Sequence, residues 1–282
     1  MVTSCAASFG LPPLHDPDQV MEDQARLIDS IVIDGQVTTV VSPLKFDPDT
    51  ESETLTYVIH GEPLQVLAEA GSWQMVVSVL DGYLGWLDHS AVSATVLEPT
   101  HTVSIPLAHV YEAPDLKSNP VRTLPMGAYV TATSSSQNGF TPLSDGNWVF
   151  AKHLSVVREF VDDPVQVAEK FLGVPYLWGG RTALGMDCSA LVQIALAACG
   201  CRAHRDSCTQ FESLGRLLVG EEKPMRGDLA FFPGHVGWMV DSTHILHANA
   251  TNMAVTVDPV EDVIGWIAAE TDERPFTGYR RL

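Results

Sequence analysis

Val174-Pro175-Tyr176-Leu177-Trp178-Gly179-Gly180 and, after a short loop, Met186-Asp187-Cys188-Ser189-Ala190-Leu191-Val192-Gln193 decide how the C-terminal half of this chain reads. After Ser189 every residue up to Cys199 is apolar except Gln193, and Gly200 then stops the run. The pattern predicts a buried helix with Asp187 as N-cap and Gly200 at C′. A helix without a polar face must be covered all round by the rest of its domain. Cys188 falls in the first turn, where free N–H groups and the positive end of the helix dipole favour thiolate. A cysteine at a helix start more often serves packing than chemistry. Its partners downstream therefore decide its role.

A cysteine nucleophile needs a base within hydrogen-bond reach, and the base needs a third group to orient it. His235 and His247 are the candidates. With Asp241-Ser242-Thr243 as a three-residue loop, Val240 pairs with His244 and Gly237 with His247. His235 then lies on the same strand face as His247, as a diagonal neighbour. A two-residue loop would put the histidines on opposite faces. One histidine alone is more often structural. Two on one face beside a helix-capped cysteine point to thiol chemistry. Asn249 is an alternative orienter that the loop parity does not favour.

The chain has 282 residues, 45% of them hydrophobic, which allows two or three domains with a sizeable core. Its formal net charge of −19 argues against nucleic acid and anionic membrane as partners. Five cysteines are too few, and odd in number, for a disulfide framework. Cys199, Cys201, His204 and Cys208 invite a zinc reading, but a Cys-x-Cys spacing at a helix end is awkward for structural zinc. No metal and no cofactor is expected. There is no apolar run of the length a membrane span needs. The first ten residues lack the basic and apolar regions of a secretory signal. The expected location is cytoplasmic, with the periplasm or cell envelope as the alternative if the N-terminus is truncated. A monomer is expected.

Along the chain, residues 1–36 form a Pro- and Asp-rich leader with a short helical candidate from Asp18 to Ile28. From Val37 short β-like runs alternate with Gly, Pro and Asp. A faint repeat follows: Gly61-Glu62-Pro63-Leu64 matches Gly127-Ala128-Tyr129-Val130, and Asp81-Gly82-Tyr83-Leu84-Gly85-Trp86 matches Asp145-Gly146-Asn147-Trp148-Val149-Phe150. The offset is 66 residues at the first glycine pair and 64 at the second. It predicts two small barrels, residues 37–98 and 99–158, ahead of a domain at 159–282. There, Asp162-Asp163-Pro164 leads to a helical pattern from Val165 to Leu172. Further expectations are an amphipathic helix near Thr209–Leu218, a strand at Leu229–Phe232, the histidine hairpin, and edge strands at 253–257 and 276–280. One helical segment followed by strands is an α+β domain.

The first copy, with Gly61-Glu62, Trp73 and Asp81-Gly82-Tyr83-Leu84-Gly85-Trp86, resembles the bacterial SH3 domain; the second is a degenerate version. Pro175-Tyr176-x-Trp178-Gly179-Gly180, Asp187-Cys188-Ser189-x-Leu191-Val192-Gln193, Arg226-Gly227-Asp228-Leu229-x-Phe231-Phe232, Gly234-His235-Val236-Gly237 and His247-Ala248 together resemble the NlpC-type, papain-like peptidases that cut peptidoglycan peptides. The likeness covers roughly residues 160–282. It implies a helix packed on an antiparallel sheet and cleavage between γ-linked D-Glu and meso-diaminopimelate or Lys. It makes Cys188 the nucleophile, His235 the base and His247 the orienting residue, and it sets Tyr176 near the oxyanion. Trp178, Ser189, Asp206 and Ser207 fall on the substrate side. Family members with this architecture use the first barrel as a wall that reads the free amine of an N-terminal L-Ala. Here Glu53 and Tyr83 are the candidates for that task, with Asp206 as a second carboxylate. The resemblance implies murein peptide recycling. The alternatives are remodelling of intact peptidoglycan, an acyltransferase on the same fold, or a non-catalytic wall-peptide binding protein.

Overall fold

The structure is a computed structural model that describes residues 34–272 and 274–282. The helical candidate of the leader, and Cys5, lie outside the described residues.

Between Gly35 and Ser93 seven strands form one antiparallel sheet, in the order Thr54–Ile59, Val41–Lys45, Leu84–Asp88, Trp73–Ser78, Pro63–Ala70, Gly35–Val37, Val92–Ser93. Alternate residues turn inward, as a half-buried strand requires. They build a core of Val37, Leu44, Val58, Leu64, Val76, Leu87 and Ala91. A bulge between Val66 and Ala68 bends the long strand, which helps a single sheet curl on itself. Gly35 and Gln36, which the sequence reading gave to the leader, pair with Leu64 and Pro63 inside this sheet.

The next module has a four-stranded sheet (Leu107–Tyr111, Pro120–Pro125, Phe140–Pro142, Trp148–Phe150) and a three-stranded one (His101–Val103, Tyr129–Val130, Leu154–Val156). The sequence repeat is visible in the backbone. Each module ends on a strand, a 3₁₀ turn and a second strand: Leu84–Asp88, His89–Ala91 and Val92–Ser93 in one, Trp148–Phe150, Ala151–His153 and Leu154–Val156 in the other. The modules also share a seam, because Ile59 of the first is buried in the core of the second, beside Val103, Leu124 and Ala128.

The C-terminal domain packs the helix Cys188–Ala198 against a six-stranded antiparallel sheet. The sheet order is Arg216–Leu217, Gly278–Arg281, Leu229–Phe232, His235–Met239, His244–Asn249, Ala254–Pro259. Asp187 caps the helix, its carboxylate accepting from the N–H of Ala190 at 2.8 Å. Cys199 is the C-cap, and Gly200 follows in the left-handed region at φ +79°. Ala190, Leu191, Val192, Ala195 and Leu196 are buried against Leu229, Phe231, Val236, Trp238 and Leu246 of the sheet. A shorter helix, Pro164–Glu169, is capped by Asp163 and packs on the same side.

Three sequence expectations change. The helix expected near Thr209–Leu218 is Ser207–Ser213; Gly215, at φ +56°, turns the chain, and Arg216–Leu217 pairs as a strand with Arg280 and Arg281. The strand Gly278–Arg281 lies inside the sheet and not at its edge. The sequence reading also missed the helix Val260–Glu270, which covers the opposite face of the sheet over Ala230, Phe232, Met239 and Ile245. Its apolar residues Val260, Val263, Ile264 and Ile267 have helical spacing, and Glu261 and Asp262 suit a first turn. A sheet buried on both faces needs such a cover.

Candidate active site

Cys188 is the first residue of the central helix and is 8% exposed. Its own N–H belongs to the first turn, which has no intrahelical acceptor. The backbone N–H of Val236 donates to its sulfur, so the thiol meets the start of the strand that carries His235.

The histidine hairpin has the register a three-residue loop demands. Trp238 faces Leu246, Met239 faces Ile245, and the N–H of Val240 bonds to the carbonyl of His244. His235 Nε2 and His247 Nδ1 are 2.7 Å apart, with the rings edge to face. Gly237 lies across from His247, and a Cβ there would stand 2.7 Å from the His247 Cβ. Only glycine leaves room for the second imidazole. On its far side, His247 Nε2 is 3.2 Å from an Asp258 carboxylate oxygen. Asn249 Nδ2 is 3.3 Å from the same Nε2, but its shorter bond goes to Thr256 Oγ1; with Nε2 assigned as donor to the Asp258 carboxylate, Nδ1 accepts. His235 Nε2–H must then be the donor of the 2.7 Å bond. The lone pair of His235 Nδ1 is left free to take a proton. Asn249 is drawn to Thr256 Oγ1 at 2.7 Å, and Thr256 in turn donates to Asp258.

The electrostatics correct the expectation of a resting thiolate. Burial pushes the Cys188 thiol up to about 12, with the neighbouring Asp187 carboxylate adding to the effect. The helix N-terminus, Arg205 and the Val236 N–H oppose this without reversing it. Burial likewise pushes His235 down to about 3, and lowers His247, which is 0% exposed. Low dielectric disfavours either charge alone. Burial thus favours a neutral thiol at Cys188 and a neutral imidazole at His235 in the free site.

Behind Cys188 lies a buried network that ties three segments together. Arg205 reaches Asp187 through Nη1 at 3.0 Å and Nη2 at 2.5 Å. It also donates to Ser189 Oγ at 2.8 Å and to Thr56 Oγ1 of the first barrel at 2.7 Å. Asp187 accepts in addition from the Gly179 N–H at 3.0 Å. Gly179 sits at φ +74°, and a Cβ on it would come within 3.2 Å of the Leu55 carbonyl and Thr56 Cα. The barrel strand Thr54–Ile59 therefore lies against the Trp178-Gly179 turn.

Tyr176 is half-buried near Cys188. Burial, followed by Cys188 and Asp187, raises its phenol pKa, which keeps the hydroxyl a donor. Trp178 is 65% exposed at the rim. Tyr83 of the first barrel donates through its hydroxyl to Asp206 at 3.3 Å, so the structure brings these two together across the domain boundary. Burial raises the Asp206 carboxyl. Ser207 opens the short helix after Asp206. Ser189 is placed differently from a free substrate contact: it is buried, and its hydroxyl is used by Asp187 and Arg205. Glu53 is exposed just before the strand Thr54–Ile59, and among the described residues no hydrogen bond joins its side chain to the site.

Sequence reasoning missed Arg205, Thr56 and Asp258. Asp258 had a readable signal, two positions beyond the Thr256 that faces His247. Arg205 and Thr56 are 149 residues apart, and no local pattern links them. Cys199 is half-buried, while Cys201 and Cys208 are exposed; among the described residues no three acidic, His or Cys side chains converge as metal ligands.

A cysteine opening a buried helix, packed on an antiparallel sheet whose neighbouring strands present two hydrogen-bonded histidines, is the constellation of a papain-like hydrolase. Residues 173–267 match the NlpC/P60 family, and residues 47–92 match the bacterial dipeptidyl-peptidase SH3 domain. The chain carries an NlpC/P60 domain behind a bacterial SH3 domain, and it is a peptidase of the cysteine type characteristic of that family. It is similar to the dipeptidyl-peptidase 6 of Lysinibacillus sphaericus, with 25% identity over 248 residues, 80% of this chain and 91% of that protein. It is similar also to the gamma-D-glutamyl-L-lysine dipeptidyl-peptidase of Bacillus subtilis, with 27% identity over 269 residues, 86% of this chain and 88% of that protein. An NlpC/P60 family protein from Bacillus cereus has the same fold, with a TM-score of 0.71 at 20% identity over 88% of this chain and 98% of its own. No helix among the described residues is long and apolar enough to cross a membrane.

Proposed function

We propose that this peptidase hydrolyses the bond between γ-linked D-Glu and the diamino acid of murein peptides that carry a free N-terminal L-Ala, as a monomer acting in peptide recycling. The observation that carries the reading is the barrel wall: Tyr83 meets Asp206 at 3.3 Å, within the same loop as the Arg205 that grips the cap of the Cys188 helix. The name of the Bacillus subtilis relative, a gamma-D-glutamyl-L-lysine dipeptidyl-peptidase, supports the substrate class. The division we propose runs the first barrel from the strand Gly35–Val37 to residue 98, with the leader before it, the second barrel over 99–158 and a peptidase domain over 159–282.

In this mechanism Cys188 Sγ attacks the γ-carbonyl while its proton passes to His235 Nδ1. His247 holds the His235 ring, and Asp258 fixes the tautomer of His247. The Cys188 N–H and the Tyr176 hydroxyl stabilise the oxyanion. The His235 imidazolium then protonates the departing amine, leaving a thioester. Water adds to the thioester, gives its proton to His235, and the thiol is restored as the acid leaves. Trp178 and Ser207 flank the peptide, and Ser189 serves through the Arg205 network. Asp206, and Glu53 about two strand residues from Leu55, hold the ammonium.

The test is mass spectrometry of L-Ala-γ-D-Glu-diaminopimelate, the Lys analogue and their N-acetylated forms after incubation with the protein. Cleavage of the free tripeptides, with at least about tenfold lower kcat/KM on the acetylated ones, is expected from loss of the ammonium contact. Equal rates on both would return the barrel to a passive role and favour intact wall as substrate. No cleavage of any peptide would favour a binding protein.

A further inference from the structure

At the junction of the first barrel, the second β module and the peptidase domain lies a crevice with two adjoining lobes, of about 400 and about 350 Å³. Cys188, His235 and Tyr176 are not on its walls. Arg181 and Gln193 line both lobes, at 7% and 6% exposure, and each has one buried polar atom without a partner: Arg181 Nε and Gln193 Oε1. Their other polar atoms are occupied. Arg181 Nη1 and Nη2 bind the Tyr57 carbonyl and Glu62, and Gln193 Nε2 donates to Asp81 at 2.9 Å. A fold that satisfies the rest of these two side chains and leaves a buried donor and a buried acceptor on residues that line one crevice has polar capacity there still unused.

The charge around the crevice points the same way. The chain has 16 Lys and Arg against 35 Asp and Glu. Five of those cations, Lys152, Arg158, Lys170, Arg181 and Arg202, line the two lobes, against only two carboxylates, Glu62 and Glu159. Glu62 is already paired with Arg181. A cationic hollow in a strongly acidic protein focuses anions. Its walls are otherwise largely apolar, with Leu80, Val103, Val161 and Ile194 among them.

We propose that this crevice is a second binding site, for a small organic anion whose carboxylate or phosphate sits among Arg158, Arg181 and Arg202, whose N–H or O–H is turned to Gln193, and whose body is apolar. The site is coupled to substrate recognition through two bonds. Gln193 lies on the Cys188 helix and holds Asp81, and Asp81 Oδ1 accepts from the Tyr83 N–H at 3.1 Å. A ligand that fixes Gln193 thereby fixes the loop that presents Tyr83 to Asp206.

Isothermal titration calorimetry on the full chain tests this with N-acetyl-L-leucine, its neutral amide and inorganic phosphate. The expected result is one saturable site for N-acetyl-L-leucine, with the neutral amide at least about tenfold weaker because the charge-assisted contact is lost. Saturable binding of phosphate as well would assign the site to phosphorylated ligands, and its absence to carboxylates. Ala197→Phe, which fills an exposed position shared by both lobes, and Arg158→Glu, on the surface of one lobe, should each weaken binding by about tenfold or more. Should Ala197→Phe not fold, Arg158→Glu decides alone. No saturable heat with any probe, or unchanged binding in the folded variants, overturns the proposal and leaves the crevice to water.

Discussion

The two ends of the proposed substrate cleft are built by opposite strategies. The reacting end, Cys188, His235 and His247, comes from one domain, is buried at Cys188 and His247 and half-buried at His235, and is biased toward its neutral forms by burial. The recognition end, Tyr83 with Asp206, comes from two domains, is partly exposed and carries a carboxylate. A buried, low-dielectric setting lets fixed dipoles act on developing charge without reorganising solvent, which suits catalysis. A half-wet carboxylate can discriminate a cation without holding it too tightly, which suits turnover. The lesson is that chemistry and selectivity are placed in different dielectric settings and should fail separately.

The largest effect expected tests the reacting end. His235→Ala removes the proton carrier and should lower kcat by roughly 10²–10⁴-fold with KM little changed. His247→Ala loosens its orientation and should cost less. Steady-state kinetics on one tripeptide with both variants checks this, and equal or reversed losses would mean that the two roles are exchanged.

A middle effect should strike both ends at once. Arg205 joins the cap of the Cys188 helix to Thr56 of the barrel. Arg205→Ala leaves Asp187 buried without its counter-charge, and removing one partner of a buried pair costs about 3–5 kcal/mol. Thermal unfolding should show a clear drop in Tm, and the activity that survives should have lost preference for the free amine. Unaltered selectivity in the folded fraction would show that the barrel docks independently of this arginine.

The smallest effects test the recognition end. Asp206→Asn should lower kcat/KM on the free tripeptide by about tenfold, the size of one charge-assisted contact, and leave the acetylated peptide unaffected. Glu53→Gln should cost less, within the roughly 0–1 kcal/mol of an exposed pair. A larger loss for Glu53 than for Asp206 would reverse their ranking as ammonium ligands.

The sequence by itself determined the local features. The Asp187 cap, the Gly200 stop and the parity that puts two histidines on one face were legible because each depends on neighbours a few residues apart. The repeat was legible because its turn glycines recur at offsets of 66 and 64 residues, and Gly61, Gly82, Gly127 and Gly146 all take positive φ in the fold. The helix Val260–Glu270 was missed although its spacing was present, because its need arises from the uncovered face of a sheet. Only the tertiary structure decided what Cys188 feels. A helix start alone favours thiolate, but enclosure by the sheet and by the Tyr176 segment raises the thiol, and solvent exclusion outweighs a terminal dipole. It alone also decided that Arg205 serves Asp187, Ser189 and Thr56 together, and that Gln193 answers to Asp81 of the barrel. The Arg205–Thr56 and Gln193–Asp81 contacts join residues 149 and 112 positions apart, and they exist only once the barrel is docked.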